Sequence, residues 1–315
     1  MLAAVNFAQL LFPDFSLILV GYLLCRFTAL NRKVWEPVEA LVYYFLFPVL
    51  LFQSIVRSPL DLSAASSLAG AGLTLAGLAI ALNYAMPWWP GLGAGLDRRL
   101  HAASAQVGFR FNSFIALALA ERVAGPQGLQ LVAVLIGLCV PVFNVGAVWP
   151  MFRQNALRHP GTQRKGFAGE LIRNPLILAT ASGVTANLLG FHLPAWLEPT
   201  VTRIGGASLA LGLMAAGAGM QLGSLAVAKG MGVAILGVKH LAMPVMAWGL
   251  ARLFGLDAAQ TAVLLMFSAL PTASSCYVLA ARMGFNGAYV AGLVTLSTLL
   301  GMVSLPFALG ILMKL

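Results

Sequence analysis

Acidic residues are scarce in this sequence, and none of them lies in the middle of an apolar run. Nine of the 315 residues are Asp or Glu, and they fall in polar breaks or near the ends of apolar runs: Asp14, Glu36, Glu39, Asp61, Asp97, Glu121, Glu170, Glu198 and Asp257. Ionisable residues at mid-membrane depth mark ion pathways in membrane proteins. Their distribution here disfavours a cation antiporter built on a buried Asp pair.

Cysteines and catalytic motifs are also few. The three cysteines, Cys25, Cys139 and Cys276, are odd in number and scattered through apolar segments. This excludes a disulfide framework and a clustered metal site. The sequence contains no HExxH, no CxxC, no phosphate-cradling glycine loop and no nucleophile elbow. We therefore expect neither an enzyme nor a bound cofactor.

Apolar residues dominate what is present. The chain is 60% hydrophobic and 9% charged, with a mean hydropathy of +0.90, whereas about a quarter of a soluble domain is charged. Apolar runs of roughly 20 residues, the length that crosses a bilayer, lie near 9–27, 37–56, 63–86, 101–121, 129–152, 170–190, 198–222, 230–252, 258–281 and 287–313. The prediction is an all-α integral membrane protein with ten transmembrane helices. The first run has no basic flank or cleavage site, so it is expected to be retained.

Basic residues are sorted by side of the membrane. The net charge of +10 could suggest nucleic-acid binding, but the basic residues do not form one face with interleaved aromatics. Twelve fall in one set of loops: Arg26, Arg32, Lys33, Arg98, Arg99, Arg153, Arg158, Arg164, Lys165, Arg173, Lys229 and Arg282. The other set holds five: Arg57, Arg122, Arg203, Arg252 and Lys314. The positive-inside rule then predicts a multi-pass protein of the cell inner membrane with both termini outside.

An internal repeat divides the chain into two halves. "LAERVAGPQG" (119–128) follows the fourth run and "LAARMGFNG" (279–287) follows the ninth, with five shared residues. The match places the fourth and ninth runs in equivalent positions of two five-helix halves, 1–157 and 158–315. Because five is odd, the second half is inverted, as in many secondary transporters. Coincidence between two helix ends rich in small residues is the alternative.

The fourth and ninth runs both contain signals for a break at mid-depth. In the repeat register, Phe111-Asn112-Ser113 aligns with Pro271-Thr272-Ala273. Pro271 lacks a backbone N–H and clashes with the preceding turn, so the ninth run should break there. Residues of types that cap new helices stand at both breaks: Asn112, Ser113, Thr272, Ser274 and Ser275. Two half-helix N-termini, each with a partial positive charge, would then meet near the membrane centre.

Arg110 is expected to complete an anion site at these breaks. A charge at the centre of a membrane helix costs roughly 2.5–3.5 kcal/mol on insertion scales, so it should face protein, water or an anion. Helix N-termini and a guanidinium together suit an anion. The predicted substrate site comprises Arg110, Asn112, Ser113, Pro271, Thr272, Ser274, Ser275 and Asn144. The alternative is a structural role in which Arg110 caps the carbonyl end of the first half-helix.

Other polar residues within apolar runs are less specific. Lys239 could pair with an anion, carry a proton, or bond to carbonyls freed by Pro244, and His240 lies beside it. Both are candidates for coupling or substrate binding. Asn144 either lines the same cavity or bonds to another helix. Pro48 marks a further kink, and the small residues of the seventh run suit close helix packing or an oligomer contact.

The chain resembles the auxin efflux carrier family and its malonate or dicarboxylate transporter branch. The motifs that carry this resemblance are "FRFNSFIALALA", "RNPLILATASG", "GLMAAGAGMQLG", "VKHLAMP", "LPTASSCYVLAARMG" and "TLSTLLGMVSLP". The resemblance implies two inverted five-helix repeats, with a scaffold or dimerisation domain from helices 1, 2, 6 and 7. Helices 3–5 and 8–10 would form a moving transport domain whose fourth and ninth helices cross at the substrate. The chain departs from the family at Phe111, where many relatives have a proline.

These features predict a secondary transporter of a small organic anion, malonate-like or auxin-like, that works by alternating access. Such a protein would be a homodimer in the bilayer, with H+ or Na+ as possible coupling ions, and would bind no nucleic acid. One alternative is a sodium-coupled symporter of the bile acid type, which shares this architecture by analogy. Another is a non-transporting membrane receptor or accessory subunit.

Overall fold

The structure, a computed structural model, describes residues 7–57, 66–158, 175–219, 228–273 and 275–310. Regular secondary structure in these ranges is entirely helical. The helices are α1 Phe7–Phe27, α2 Arg32–Leu41, α3 Phe47–Val56, α4 Ser66–Tyr84, α5 Arg98–Ser104, α6 Ser113–Arg158, α7 Pro175–Leu188, α8 Glu198–Ala218, α9 Lys229–Gly237, α10 Met243–Leu253, α11 Ala258–Ala269, α12 Ser275–Arg282 and α13 Gly287–Gly310.

Four described helical stretches are long and apolar enough to cross a membrane. They are Ser66–Tyr84, Val134–Leu157, Lys229–Leu253 and Gly287–Gly310. Helices also occupy the described parts of the other six predicted apolar runs. The prediction of an all-helical membrane protein is therefore confirmed.

Helix α6 reverses direction near Gly128. A straight helix of its 46 residues would be about 69 Å long. A Cβ atom on Gly128 would overlap the carbonyl oxygen of Ala120, although eight residues of straight helix separate two positions by about 12 Å. The chain therefore doubles back between these residues, within the predicted polar break at 119–128. Only glycine allows this close backbone approach.

Prolines widen two helices instead of ending them. A π-helical turn at Val42–Leu46 joins α2 to α3 just before Pro48, and another at Val238–Ala242 joins α9 to α10 just before Pro244. Proline removes one backbone donor and clashes with the preceding turn. A π turn absorbs this local conflict while the helix continues. The kink predicted at Pro48 corresponds to the first of these turns, and the second precedes Pro244.

The fourth and ninth runs are broken, as predicted. After α5, a 3₁₀ turn at Ala105–Gly108 leads into the non-helical residues 109–112 before α6 begins at Ser113. In the ninth run α11 ends at Ala269, and α12 begins at Ser275. The fourth-run break forms although position 111 is phenylalanine. Helix formation thus stops at both places by tertiary contact and not by proline alone.

Helices α1 and α8 touch through their backbones. A Cβ on Gly217 would overlap the carbonyl oxygen of Ile18, and a Cβ on Gly21 would overlap that of Met214. Gly205 of α8 lies against α3, where an added Cβ would be 3.0 Å from Leu50 Cδ1. The small residues of the seventh run therefore serve close helix packing within the chain. An oligomer contact through the same helix stays a prediction.

The main apolar core surrounds the two breaks. Fully buried side chains from α4, α6, α11 and α13 form one cluster, for example Leu75, Leu135, Leu264 and Val290. Phe109 and Leu270, which flank the breaks, belong to the same cluster and are fully buried. The non-helical residues are therefore held in the protein interior, where membrane proteins tolerate irregular backbone.

Replacing Gly217 with alanine should destabilise the α1–α8 contact. The added methyl group would meet a backbone carbonyl that cannot move without shifting α1, and overpacking of this kind typically costs about 1–3 kcal/mol. Gly206 lies on the same helix with no atom within 4 Å of an added Cβ, so Gly206→Ala is the matched control and should be neutral or slightly stabilising. Thermal unfolding of both purified variants measures the difference. Equal melting temperatures would contradict the close approach.

Candidate functional site

The two helix breaks lie against each other and share hydrogen bonds. The backbone N–H of Asn112 donates to the carbonyl of Pro271 at 2.8 Å. In return, the Thr272 hydroxyl donates to the carbonyl of Val107 at 2.6 Å. We call residues 107–112 and 270–273 the crossover. Each break satisfies backbone groups that the other leaves without a helical partner, as the membrane interior requires.

The start of α6 is capped as the sequence predicts, whereas Thr272 has a different role. The Asn112 side chain accepts a hydrogen bond from Ile115 N at 3.3 Å, and Ser113 is the half-buried first residue of the helix. Thr272 was expected to cap α12, but its hydroxyl joins the two breaks instead. Ser275 begins α12 with a buried hydroxyl that has no partner among the described residues. Ser274 lies outside the described residues.

Arg110 is buried in the crossover without a carboxylate partner. Its side chain is 5% exposed. Nη1 donates to Gln106 Oε1 at 3.1 Å and Nη2 donates to Asn144 Oδ1 at 3.0 Å, so both of these acceptors are neutral amides. In the described part of the chain no Asp or Glu forms an ion pair with Arg110. Buried charges are normally paired, but no carboxylate in the described residues compensates the charge of this guanidinium.

Gln106 is held so that its oxygen faces Arg110. Its amide nitrogen donates to the carbonyl of Ala103 at 2.9 Å and to the carbonyl of Cys276 at 3.2 Å. The second bond reaches the first turn of α12, on the other side of the crossover. Since both amide protons are used, the oxygen is the atom left for the guanidinium. Gln106 therefore links Arg110 to both half-helices.

Lys239 adds a second buried cation nearby. It is 0% exposed, and its Nζ lies 4.0 Å from the thioether sulfur of Met243. The Cys276 side chain lies within electrostatic range of both Arg110 and Lys239. Cys276 itself contacts the Gln106 carbonyl. The π turn that carries Lys239 packs against the 3₁₀ turn at Ala105–Gly108, although no described hydrogen bond joins Lys239 to the crossover.

His240 is tied to the crossover by serine hydroxyls. Its Nδ1 is 2.9 Å from Ser304 Oγ, and its Nε2 is 2.9 Å from Ser297 Oγ. Ser304 donates its proton to the carbonyl of Ala269, so Nδ1 must donate to Ser304. In the neutral ring, Nε2 then accepts from Ser297, whose oxygen accepts from Thr272 N at 3.0 Å. A protonated ring would turn the Ser297 hydroxyl towards Thr272 Oγ1, which is also 3.0 Å away.

Aromatic rings enclose the crossover. Phe111 packs on Phe267 with ring centroids 4.3 Å apart and on Phe143 at 6.0 Å. Phe109 packs on Phe143 at 5.6 Å. All four rings are buried. They make the surroundings of the crossover apolar, and a low local dielectric strengthens the interaction of a buried charge with any anion.

Glu39 is the acidic side chain that the structure shows as buried among the described residues. It does not neutralise Arg110. Glu39 accepts hydrogen bonds from Arg32 Nη1 at 2.6 Å and from the Tyr277 hydroxyl. These contacts join α2 to α12. The described residues also contain no group of three His, Cys, Asp or Glu that could hold a metal ion. The charged side chains that the structure describes at the crossover are therefore basic.

The predicted set is largely brought together, and some members were missed. Arg110, Asn112, Asn144, Pro271 and Thr272 meet at the crossover. Gln106 was missed, although it lies four residues before Arg110, a spacing that faces two side chains towards each other on a helix. Ser297 and Ser304 were also missed. They come from α13, and no local pattern marks them among the other hydroxyls of that helix.

Comparison with known proteins points to a transporter. Residues 164–309 match the family described as membrane transport protein. A protein of Rhizobium meliloti (strain 1021) named "Putative malonate transporter" is 24% identical over 299 residues, which cover 92% of this chain and 91% of the relative. The resemblance to a family of membrane transport proteins is thus confirmed, and the named malonate transporter is a distant relative of the chain.

Replacing Thr272 with valine should weaken the crossover. The change keeps the shape of the side chain but leaves the buried Val107 carbonyl without its donor, at a cost of about 1–3 kcal/mol. Thr298→Val is the matched control, because the Thr298 hydroxyl bonds only to the Val294 carbonyl of its own helix and should cost less. Melting temperatures of the two purified variants provide the measurement. A larger loss in the Thr298 variant would refute the role given to Thr272.

Proposed function

We propose that the protein is a secondary transporter that carries a small organic anion across the membrane by alternating access. The observation that carries the proposal is the buried, uncompensated guanidinium of Arg110 at the contact of two broken helices. A protein without an anionic ligand would gain stability by replacing such a charge. A substrate anion that pairs with Arg110 would explain why the buried charge is retained.

Arg110 is suited to bind a carboxylate. A planar guanidinium can donate two parallel hydrogen bonds to one carboxylate group, which a lysine ammonium cannot. Gln106 and Asn144 hold the guanidinium in place through neutral acceptors. A carboxylate can displace them because it adds the attraction between opposite charges, which is strong in a low dielectric. The N-termini of α6 and α12 add partial positive charge.

The second cation favours a dicarboxylate over a monocarboxylate. Lys239 is buried on the π turn that packs against the 3₁₀ turn preceding Arg110, so the two carboxylates of one short ligand could each have a cationic partner. A malonate-like ligand fits this arrangement, and the relative's name supports malonate as the first compound to test. An auxin-like monocarboxylate would leave Lys239 without an anion.

The transport cycle that we propose is an elevator movement of one domain against another. Ten transmembrane helices in two inverted repeats would place α1, α2–α3, α7 and α8 in a scaffold that also dimerises. The backbone contact between α1 and α8 supports a rigid scaffold. The remaining helices, with the crossover, would form the transport domain. Equivalent breaks in the fourth and ninth runs support the repeat.

Coupling is proposed to involve protons, with Lys239 or His240 as the carrier. The Ser297 hydroxyl connects His240 to Thr272, so a proton on the ring would change the hydrogen bonds at the crossover. Sodium coupling of the bile acid type is the alternative, and a pure receptor would show no flux. Uptake of labelled malonate into proteoliposomes, with and without sodium and at several pH values, distinguishes the three.

Replacing Arg110 with glutamine should abolish most substrate binding while sparing stability. Loss of a desolvated charge pair costs on the order of 2–5 kcal/mol of affinity, whereas the empty protein loses a buried charge and becomes equally or more stable. Arg110→Lys should fold and bind weakly. Malonate dissociation constants and melting temperatures measured on the same preparations test this. Arg203→Gln, which removes an exposed arginine, is the control.

The opposite pair of results would refute the anion site. If Arg110 only caps a half-helix, Arg110→Gln lowers the melting temperature of the empty protein and leaves the dissociation constant unchanged in the folded fraction. If Arg110 binds the substrate, the Arg110→Gln variant should also fail to take up malonate. Normal uptake by Arg110→Gln would exclude a substrate role even if stability falls.

The orientation is also testable. The bias of twelve against five basic residues places position 161 in the cytoplasm and position 315 outside. In a chain without other cysteines, Gly161→Cys should resist an impermeant thiol reagent on intact cells, and Leu315→Cys should react. Lysed cells, in which both variants should react, are the control. The reverse pattern on intact cells would overturn the ten-helix topology.

A further inference from the structure

A surface cavity lies outside the crossover. It has a volume of about 610 Å³ and opens at the surface between α4, α5 and the C-terminal arm of α6. Tyr84 lies in its wall and donates from its hydroxyl to the carbonyl of Gly146 at 3.0 Å. The cavity volume is within the range of small-molecule sites. None of the residues that bind Arg110 lines it, so it is not the substrate site described above.

Two arginines on the cavity wall are free to bind a ligand. Arg98 and Arg153 both line the cavity, are exposed, and form no ion pair with the described residues. The neighbouring Arg99 is engaged instead, with bonds to Asn155 and the Gly284 carbonyl. His101, in the same wall, donates from Nε2 to the Asn83 carbonyl at 2.8 Å. The cavity therefore contains unused positive charge beside a fixed polar ring.

The rest of the cavity is apolar and bears tryptophans at the surface. Ile80, Pro87 and Leu157 line it together with Trp88 and Trp149. Trp88 is 81% exposed. Tryptophan is enriched where a membrane protein meets the lipid headgroups. Positive charge and apolar surface in one cavity are complementary to a ligand that is anionic at one end and a hydrocarbon at the other.

We propose that this cavity binds an anionic membrane phospholipid, with its phosphate between Arg98 and Arg153. The acyl chain would lie against Ile80, Trp149 and Leu157. Basic pockets between transmembrane helices on the cytoplasmic side are suited to such headgroups, and both arginines belong to the set predicted to be cytoplasmic. Because α5 leads directly into the crossover, the lipid would contact the helix that ends beside Arg110.

Removing the two arginines should abolish the preference for anionic lipid. We would measure lipid binding to the purified full chain in neutral detergent by native mass spectrometry, with phosphatidylglycerol and phosphatidylcholine as the two lipids. One basic residue near an anionic lipid contributes roughly fivefold in affinity, so Arg98→Gln with Arg153→Gln should weaken phosphatidylglycerol binding about 25-fold. Phosphatidylcholine binding should change little.

A matched control tests whether the effect is specific to the cavity. Arg26→Gln with Lys229→Gln removes two exposed cations from the same predicted side of the membrane, and neither residue lines the cavity. This variant should bind phosphatidylglycerol as well as the unchanged protein does. An equal loss in both double variants would show a general charge effect and overturn the proposal.

A soluble anion is the other source of a phosphate-like ligand. In thermal unfolding, phosphatidylglycerol should raise the melting temperature of the unchanged protein and not that of the Arg98, Arg153 double variant. If inorganic phosphate alone gives the same Arg98-dependent and Arg153-dependent increase, the cavity is a soluble-anion site and the lipid proposal is wrong. Malonate should stabilise both proteins equally, because Arg110 is intact in each.

Discussion

The site depends on two helix breaks that supply each other's missing hydrogen bonds. In a bilayer, an unpaired backbone N–H or C=O costs several kcal/mol, so neither break could form alone. The Asn112 amide bonds to the Pro271 carbonyl, and the Thr272 hydroxyl bonds to the Val107 carbonyl. This exchange makes an interrupted helix compatible with the membrane interior. It also holds the start of α6 and the second break together beside the buried arginine.

The buried charge of Arg110 is surrounded by neutral groups. Gln106 and Asn144 orient the Arg110 guanidinium without neutralising it, and the phenylalanine rings make the surroundings of the crossover apolar. A carboxylate in place of either amide would form a closed ion pair and remove the need for a ligand. Amide partners instead leave the charge available to an anion. The proposed affinity for an anion therefore comes with a lower stability of the empty protein.

Residues that interrupt a helix or are costly to bury in a membrane could be identified from the sequence. Their hydrogen-bond partners could not. Pro271 cannot continue a helix, and Arg110 is too costly to face lipid, so both were predicted from local chemistry. Asn112 was predicted as a cap and caps α6. The Thr272 hydroxyl, however, bonds to a carbonyl 165 positions away in the chain. Such a partner is set by tertiary packing, which no local pattern encodes.

The cluster of Arg32, Glu39 and Tyr277 joins α2 to α12 and so spans the proposed boundary between the stationary and the moving domain. These bonds would be broken and remade once in each cycle, while the anion remains bound elsewhere. They would therefore contribute to the activation barrier between the outward and inward states and not to the equilibrium constant for binding. In such a carrier, turnover and substrate affinity are determined by different residues and can change independently.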